Sequence, residues 1–347
     1  MRYTWYVRLI VLATLLALGV VVLGAYVRLT DAGLGCPDWP GCYGSLIVPV
    51  EEADIQAVNE AYPDRPFESQ KAWNEMIHRY FATTLGFAIM LAALLAWLNR
   101  REPGQPVKLP LVLLGVVIFQ GLLGMWTVTL LLKPLIVMGH LLGGLTTLGL
   151  CFWLVLEHFR RPDTTADRRR LIVAPAIAAL VILVGQIALG GWTSSNYAAL
   201  ACPDLPTCQG QWWPDQANFA EGFVLWRGLG IDYEFGVLDA PSRVAIHFVH
   251  RLGALVTFLF LGFVALNFIR QPSSTRTARN NPVLRRAGQW VAVALLAQVS
   301  IGIGVVWFGL PLLLATAHNA VAALLLLSMI NLNHVTSLYA TGNLAHT

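Results

Sequence analysis

Charged side chains are scarce in this chain. Asp, Glu, Lys and Arg make up 12% of its 347 residues while 56% are hydrophobic, and the mean hydropathy is +0.63. A soluble globular domain carries roughly 25% charged residues, so this composition excludes one and indicates a polytopic membrane protein. Helix-breaking proline is missing from the middle of the apolar stretches, apart from Pro175. A transporter with parallel repeats would need such breaks near mid-membrane. The first apolar stretch follows Arg2 and Arg8 but has no small-residue cleavage site before Arg28. It is therefore expected to stay as a span rather than be removed as a signal peptide.

What is present is a set of long apolar runs. Eight of them reach the ~20 residues that a helix needs to cross a ~30 Å core, at roughly 9–27, 76–98, 109–131, 135–156, 172–193, 244–269, 288–309 and 312–333. Helices satisfy their own backbone hydrogen bonds in lipid, which fixes an all-α fold. Basic residues set the orientation. Arg2 and Arg8; Arg100, Arg101 and Lys108; Arg160, Arg161 and Arg168 to Arg170; and Arg270, Arg276, Arg279, Arg285 and Arg286 all fall on one side. These are 15 of the 23 basic residues, so the positive-inside rule puts both termini in the cytoplasm. A multi-pass protein of the cytoplasmic (inner) membrane is expected. The net charge of +4 follows from this asymmetry and points to no nucleic acid. The long loops, about 28–75 and 194–243, then lie outside and hold Cys36, Cys42, Cys202 and Cys208. Paired cysteines in an oxidising compartment form disulfides. Cys151 reads as a small packing residue inside a span.

The chain is duplicated. C-P-D-W-P-G-C from Cys36 to Cys42 recurs as C-P-D-L-P-T-C from Cys202 to Cys208. His78-Arg79 recurs as His250-Arg251, and Gln120 precedes His140 by the same 20 residues that separate Gln298 from His318. Each half has an even number of spans, so the repeats share an orientation and relate by an axis along the membrane normal. Two pseudo-symmetric four-helix bundles are expected, over residues 1–160 and 161–347, each with a site in its core. Gly121 and Gly124, Gly143 and Gly144, Gly190 and Gly191, and Gly302 and Gly304 would allow close helix approach and would permit, without requiring, association into oligomers.

His78, His140, His250 and His318 lie one to two turns inside the outer ends of their spans. Polar groups at such depth are costly and mark functional sites. Two imidazoles facing across each bundle suit two bis-histidine haems, whereas a structural zinc site takes four ligands and mixes in cysteine. Arg79 and Arg251 would contact haem propionates or snorkel toward lipid phosphate. Glu75 and His247 each stand three residues before a candidate ligand, on the same helix face. A carboxylate beside one site and an imidazole beside the other would make the N-terminal half the catalytic one, Glu75 moving protons or stabilising positive charge. The alternative for Glu75 is a simple i,i+4 pair with Arg79 on an exposed helix start. Cys36–Cys42 would either brace its loop or cycle between dithiol and disulfide; Cys202–Cys208 would brace, each closure covering the outer mouth of its own bundle. His158, His334 and His346 lie at or beyond the cytoplasmic ends and read as solvated.

Glu75-Met76-Ile77-His78-Arg79, His140 with Gly143-Gly144, the H-x-x-H-R from His247 to Arg251, His318-Asn319 and both C-P-D-x-P-x-C loops resemble the haem A synthases, in their cysteine-containing subtype. The resemblance covers nearly the whole chain. It implies oxidation of the C8 methyl of haem O to a formyl group by two successive hydroxylations and loss of water, giving haem A for cytochrome c oxidase. It implies that His78 and His140 bracket the substrate haem, that Glu75 is catalytic, and that His250 and His318 hold a haem B that passes electrons, with His247 as a competitor for His250. A haem O synthase is the implied donor, and an oxidase subunit or its assembly factors the acceptor. The same four histidines would also serve a di-haem b-type electron carrier. That carrier would place its haems at different depths, and these histidines share one.

Overall fold

A computed structural model describes residues 2–159, 173–270 and 282–341. Ten helices form among the described residues: α1 (Arg2–Leu29), α2 (Glu52–Ala61), α3 (Ser69–Leu98), α4 (Lys108–Thr129), α5 (Pro134–His158), α6 (Val173–Ser195), α7 (Phe219–Gly222), α8 (Ala240–Arg270), α9 (Pro282–Trp307) and α10 (Leu312–Thr341). Eight are long and apolar enough to cross a membrane, as their composition predicts. Their apolar windows have mean hydropathies of 1.8 to 2.6 yet are at most 33% buried. Ile118, Phe119, Leu259, Phe263 and Trp290 all point outward, each more than half exposed. A surface that apolar suits lipid, since the outer face of a water-soluble helix is polar. The chain is a multi-pass membrane protein. The basic residues expected at 160–170, together with Arg276 and Arg279, His346 and the expected boundary at residue 160, lie outside the described residues.

The helices pack as two bundles with the same internal order. In the first, α1 and α4 each touch both α3 and α5; in the second, α6 and α9 each touch both α8 and α10. Among the described residues α3 and α5 share no close backbone contact, nor do α8 and α10. The histidine-bearing helices therefore stand on diagonal corners, with the bundle core between them. The bundles join through α1 on α10, α5 on α6 and α5 on α10, which is the pattern of a two-fold axis running between α5 and α10. Close approach at that seam depends on small residues: a Cβ on Gly149 would stand 2.8 Å from Ile330, and one on Gly191 3.0 Å from Leu141.

His334 departs from the solvated reading. It is 4% exposed, its Nε2 lies 3.1 Å from Glu157 Oε1, and Trp153 packs edge-on against it at 5.0 Å. The seam between α5 and α10 runs to the helix ends and covers a position that looks terminal in the sequence. Gly121 also departs from its packing role, because a Cβ there would meet nothing within 4 Å.

The two long loops are not alike. Each disulfide knot sits on its own bundle, but residues 226–236 of the second loop cross to the first. Arg65 pairs with both Asp232 and Glu234. The Tyr233 amide donates to Leu131 carbonyl at 3.0 Å, and Tyr233 packs with Leu34, Val128 and Leu132. The Lys133 ammonium donates to Gly228 carbonyl and lies 3.6 Å from the Trp226 ring centre. The first bundle is thus covered by both loops.

Candidate haem sites

Each candidate ligand rests against a glycine of the preceding long helix. A Cβ on Gly24 would stand 3.0 Å from His78 Nε2; on Gly124, 3.2 Å from His140 Cε1; on Gly190, 3.2 Å from His250 Cε1; and on Gly302, 2.9 Å from His318 Cε1. These glycines leave room for an imidazole where any side chain would displace it. Of the expected packing glycines, Gly124, Gly190 and Gly302 thus serve the histidines, and Gly24 joins them at one repeat length before Gly190.

Three of the four rings also meet a glutamine amide. Gln120 Nε2 donates to the His140 carbonyl at 2.7 Å and lies 3.1 Å from Nδ1. Gln186 Nε2 donates to the His250 carbonyl at 3.0 Å and again lies 3.1 Å from Nδ1. Gln298 Nε2 lies 3.2 Å from His318 Nε2. The first two amides fill notches left by glycine, with Oε1 2.1 and 2.3 Å from where a Cβ of Gly143 or Gly253 would be. Gln186 escapes the sequence reading because 64 residues and a whole long loop separate it from His250.

The His78 and His140 ring centres are 6.4 Å apart with planes at 69°. Two imidazoles on one iron would place their centres at ~6.3 Å, from two metal–nitrogen bonds of roughly 2 Å plus the ring radii. His250 and His318 stand on α8 and α10, the corresponding diagonal corners of the second bundle. A second test concerns hydrogen bonds. An iron-bound imidazole carries its proton on the other nitrogen and needs an acceptor there. Oε1 of Gln120, Gln186 and Gln298, and Nδ1 of His318, are buried without a partner among the described residues. Buried polar atoms are rarely left so. The amides stand with Nε2 toward the ring nitrogens; an amide that turned its Oε1 to a ring N–H would supply the acceptor that ligation calls for, and His318 Nδ1, away from Gln298, would be the nitrogen free for iron. The residues fit two porphyrin-held irons.

Outward of the rings, Glu75 and His247 do the same job with different chemistry. Glu75, 5% exposed, accepts the Cys36 amide at 2.8 Å through Oε2 and the Arg79 guanidinium at 2.5 Å through Oε1. His247 Nδ1 accepts the Cys202 amide at 3.1 Å, and Arg251 Nε lies 3.3 Å from its Nε2. The i,i+4 pair of Glu75 and Arg79 therefore exists, but buried rather than on an exposed helix start. Both nitrogens of His247 are engaged, Nδ1 by the loop amide of Cys202 and Nε2 by Arg251 of the same helix, while His250 faces Gly190 and Gln186.

Both arginines reach outward into the loops. Arg79 donates to the carbonyls of Asp38 at 3.0 Å, Pro40 at 3.4 Å and Gly41. Arg251 donates to those of Asp204 at 2.7 Å, Thr207 at 2.9 Å and Cys202. The cysteines are joined, Cys36 to Cys42 and Cys202 to Cys208. Inside each knot the aspartate of the motif caps the turn after the second cysteine. Asp38 accepts the amides of Tyr43 at 2.6 Å and Gly44 at 2.8 Å. Asp204 accepts those of Gln209 at 2.6 Å and Gly210 at 3.0 Å. Gly44 and Gly210, with φ near +77° and +78°, hold a conformation that favours glycine. Beside the first knot, burial and then the charges of Glu68 and Glu75 push the Tyr43 phenol up to about 12.

A family model described as Cytochrome oxidase assembly protein (COX15-CtaA) matches residues 7–330. The Heme A synthase of Shewanella oneidensis is 44% identical over 335 residues, covering 96% of each chain. That of Mesorhizobium japonicum is 30% identical over 91% of this chain and 86% of its own, and that of Caulobacter vibrioides 28% identical over 88% of each. The chain belongs to this cytochrome oxidase assembly family, with the haem A synthases, and acts in haem A biosynthesis.

Proposed function

We propose that the chain oxidises the C8 methyl of haem O to a formyl group, giving haem A for cytochrome c oxidase. Each of two hydroxylations turns a C–H into C–OH, an external oxidant taking the two electrons lost by the carbon and solvent or that oxidant supplying the oxygen, and loss of water from the doubly hydroxylated carbon leaves the formyl group. The observation that carries this reading is the His78–His140 pair, 6.4 Å apart on diagonal helices, with the Glu75 carboxylate one turn outward on α3. Residues 1–160 are the substrate half, in which His78 and His140 bracket the substrate iron. Residues 161–347 are the haem B half, with His250 and His318 as ligands. Bound there, haem B supplies electron transfer.

Glu75 is the proposed catalytic residue. Its oxygens hold the Cys36 amide and the Arg79 guanidinium in place, and a carboxylate so fixed can take up or pass on a proton, or stabilise developing positive charge. The second half has His247 at that position, which supports placing the chemistry in the first. Arg79 and Arg251 clamp the loops, and propionate contact is their proposed second use. The disulfides brace the covers in this reading. Both termini face the cytoplasm and the loops lie outside the inner membrane, where lipid surrounds the spans. A haem O synthase is the proposed donor, and an oxidase subunit or assembly factor the acceptor.

The test is the porphyrin content of purified protein co-expressed with a haem O supply, wild type against Glu75→Ala. Haem B with haem A in wild type, and haem O accumulating in the variant, is the expected result. Two equivalents of haem B in both proteins would leave a di-haem electron carrier instead.

A further inference from the structure

The four histidines are not equivalent. His140, His250 and His318 each lie beside a glutamine of the preceding long helix. Gln186 minus the 166-residue repeat is Val20, a partly buried residue of the core. The side chain that should steady His78 is therefore an isopropyl group, which neither donates nor accepts. The ring of His78 meets the backbone of Val20 instead, a carbonyl within the α1 hydrogen-bond ladder.

The ring orientation differs in the same place. At His140, His250 and His318 the atom closest to the facing glycine is Cε1, while at His78 it is Nε2. Gln120 and Gln186 face Nδ1 of their rings and Gln298 faces Nε2 of its own, while His78, beside Val20, turns Nε2 toward α1. Partners of a ligand's second nitrogen set its tautomer and orientation, and removing one costs on the order of 10–100-fold in metal affinity.

We propose that Gln120, Gln186 and Gln298 are positioning residues that hold His140, His250 and His318 in ligating orientation, and that Val20 leaves His78 as the ligand free to leave its iron. The inference rests on the two bis-histidine haem sites proposed above. A haem held in the first bundle would then have one exchangeable protein ligand, His78, and a haem held in the second would have none. A substrate haem must enter and depart and its iron must meet an oxidant, whereas a resident haem needs neither.

The test is carbon monoxide binding to the dithionite-reduced, haem-loaded protein, together with low-temperature electron paramagnetic resonance of the oxidised form. His140→Ala, which empties the first bundle, assigns the signals. In wild type the first-bundle haem binds carbon monoxide and the second does not. Val20→Gln is expected to lower the carbon monoxide affinity of the first-bundle haem on the order of tenfold and to sharpen its low-spin signal. Gln186→Val is expected to make the second haem reactive, with Gln186→Asn restoring part of the inertness. Should Val20→Gln fail to assemble, Gln186→Val decides alone. Wild-type protein inert at both haems, or a second haem still inert in Gln186→Val, overturns the inference while leaving the haem sites standing. Protein that binds no haem, or whose haem content ignores His140→Ala and His250→Ala, overturns the haem reading and this inference with it.

Discussion

Arg28 donates from Nη2 to the carbonyl oxygen of Ser194 at 2.6 Å, and the two residues are one repeat, 166 positions, apart. Tyr197 repeats the relation, its hydroxyl donating to Asp31 at 3.2 Å. Equivalent residues of two repeats can touch only near the axis that relates them, so the pseudo-two-fold passes here, at the loop end of α1 and α6. The contact is asymmetric: an arginine on one side is met by a carbonyl and by the Tyr197 ring, 4.0 Å from the guanidinium carbon.

That contact is expected to hold the bundles together. Arg28→Ala should destabilise the protein by roughly 1.5–3 kcal/mol, the usual worth of a hydrogen bond to a charged group. The loss should be visible as a lower midpoint in thermal unfolding in detergent. Arg28→Lys keeps the charge but not the planar fork, and should fall between. Unchanged midpoints in both variants would mean that the helix contacts of α1 and α5 with α10 and of α5 with α6, together with the loop bridges, join the bundles without help from Arg28.

The glycines that face histidines are predicted to be required, and their neighbours not. A Cβ at position 302 would stand 2.9 Å from His318 and one at 190 3.2 Å from His250, so Gly302→Ala and Gly190→Ala must push the rings aside. Haem loading in the second bundle should fall on the order of tenfold, as for other losses of ligand support. Gly121→Ala meets nothing and should leave loading intact while stabilising its helix by ~0.5–1 kcal/mol. The ratio of Soret to protein absorbance reads all three.

The arginine clamps make a reciprocal prediction. Arg79 holds only the first knot and Arg251 only the second. Arg79→Ala should therefore speed thiol reduction of Cys36–Cys42 and leave Cys202–Cys208 unchanged, and Arg251→Ala should do the reverse. Mass spectrometry after timed alkylation separates the two. Equal acceleration of both bonds in either variant would show that the loops open as one unit, through the bridge from Arg65 to Asp232 and Glu234.

The spans, the duplication and the pairing of histidines are legible in the sequence because each is a one-dimensional pattern: apolar run length, or a motif returning at a fixed offset. Gln120 and Gln298 show as landmarks since each precedes a histidine by 20 residues. Their function does not, because spacing across two helices says nothing of which atoms meet. The direction of Arg79 and Arg251 is equally hidden. An arginine at a membrane boundary has carbonyls, propionates and phosphates as possible partners, and only the folded loop decides for carbonyls. His334 misleads for a related reason, since depth along a helix is readable while coverage by a neighbouring bundle is not.

The acid response of the second knot follows from Asp204. Hydrogen bonding from the Thr207 hydroxyl, then from the amides of Gly210 and Gln209, lowers its pKa from 3.8 to about 2. A carboxylate whose folded pKa is depressed adds stability that is fully present above the unfolded value and is lost as pH falls through the folded one. The turn after Cys208 should thus be firm above pH 3.8 and loosen as pH falls toward about 2. A phosphine reductant that works in acid should reduce Cys202–Cys208 faster across that window. In Asp204→Asn the amide keeps one acceptor oxygen but no charge, so reduction should already be fast at neutral pH and should lose this acid step. Wild-type protein whose Cys202–Cys208 reduction shows no rise between pH 4 and 2 would mean that Arg251, gripping the carbonyls of Asp204, Thr207 and Cys202, holds the knot without help from the Asp204 side chain.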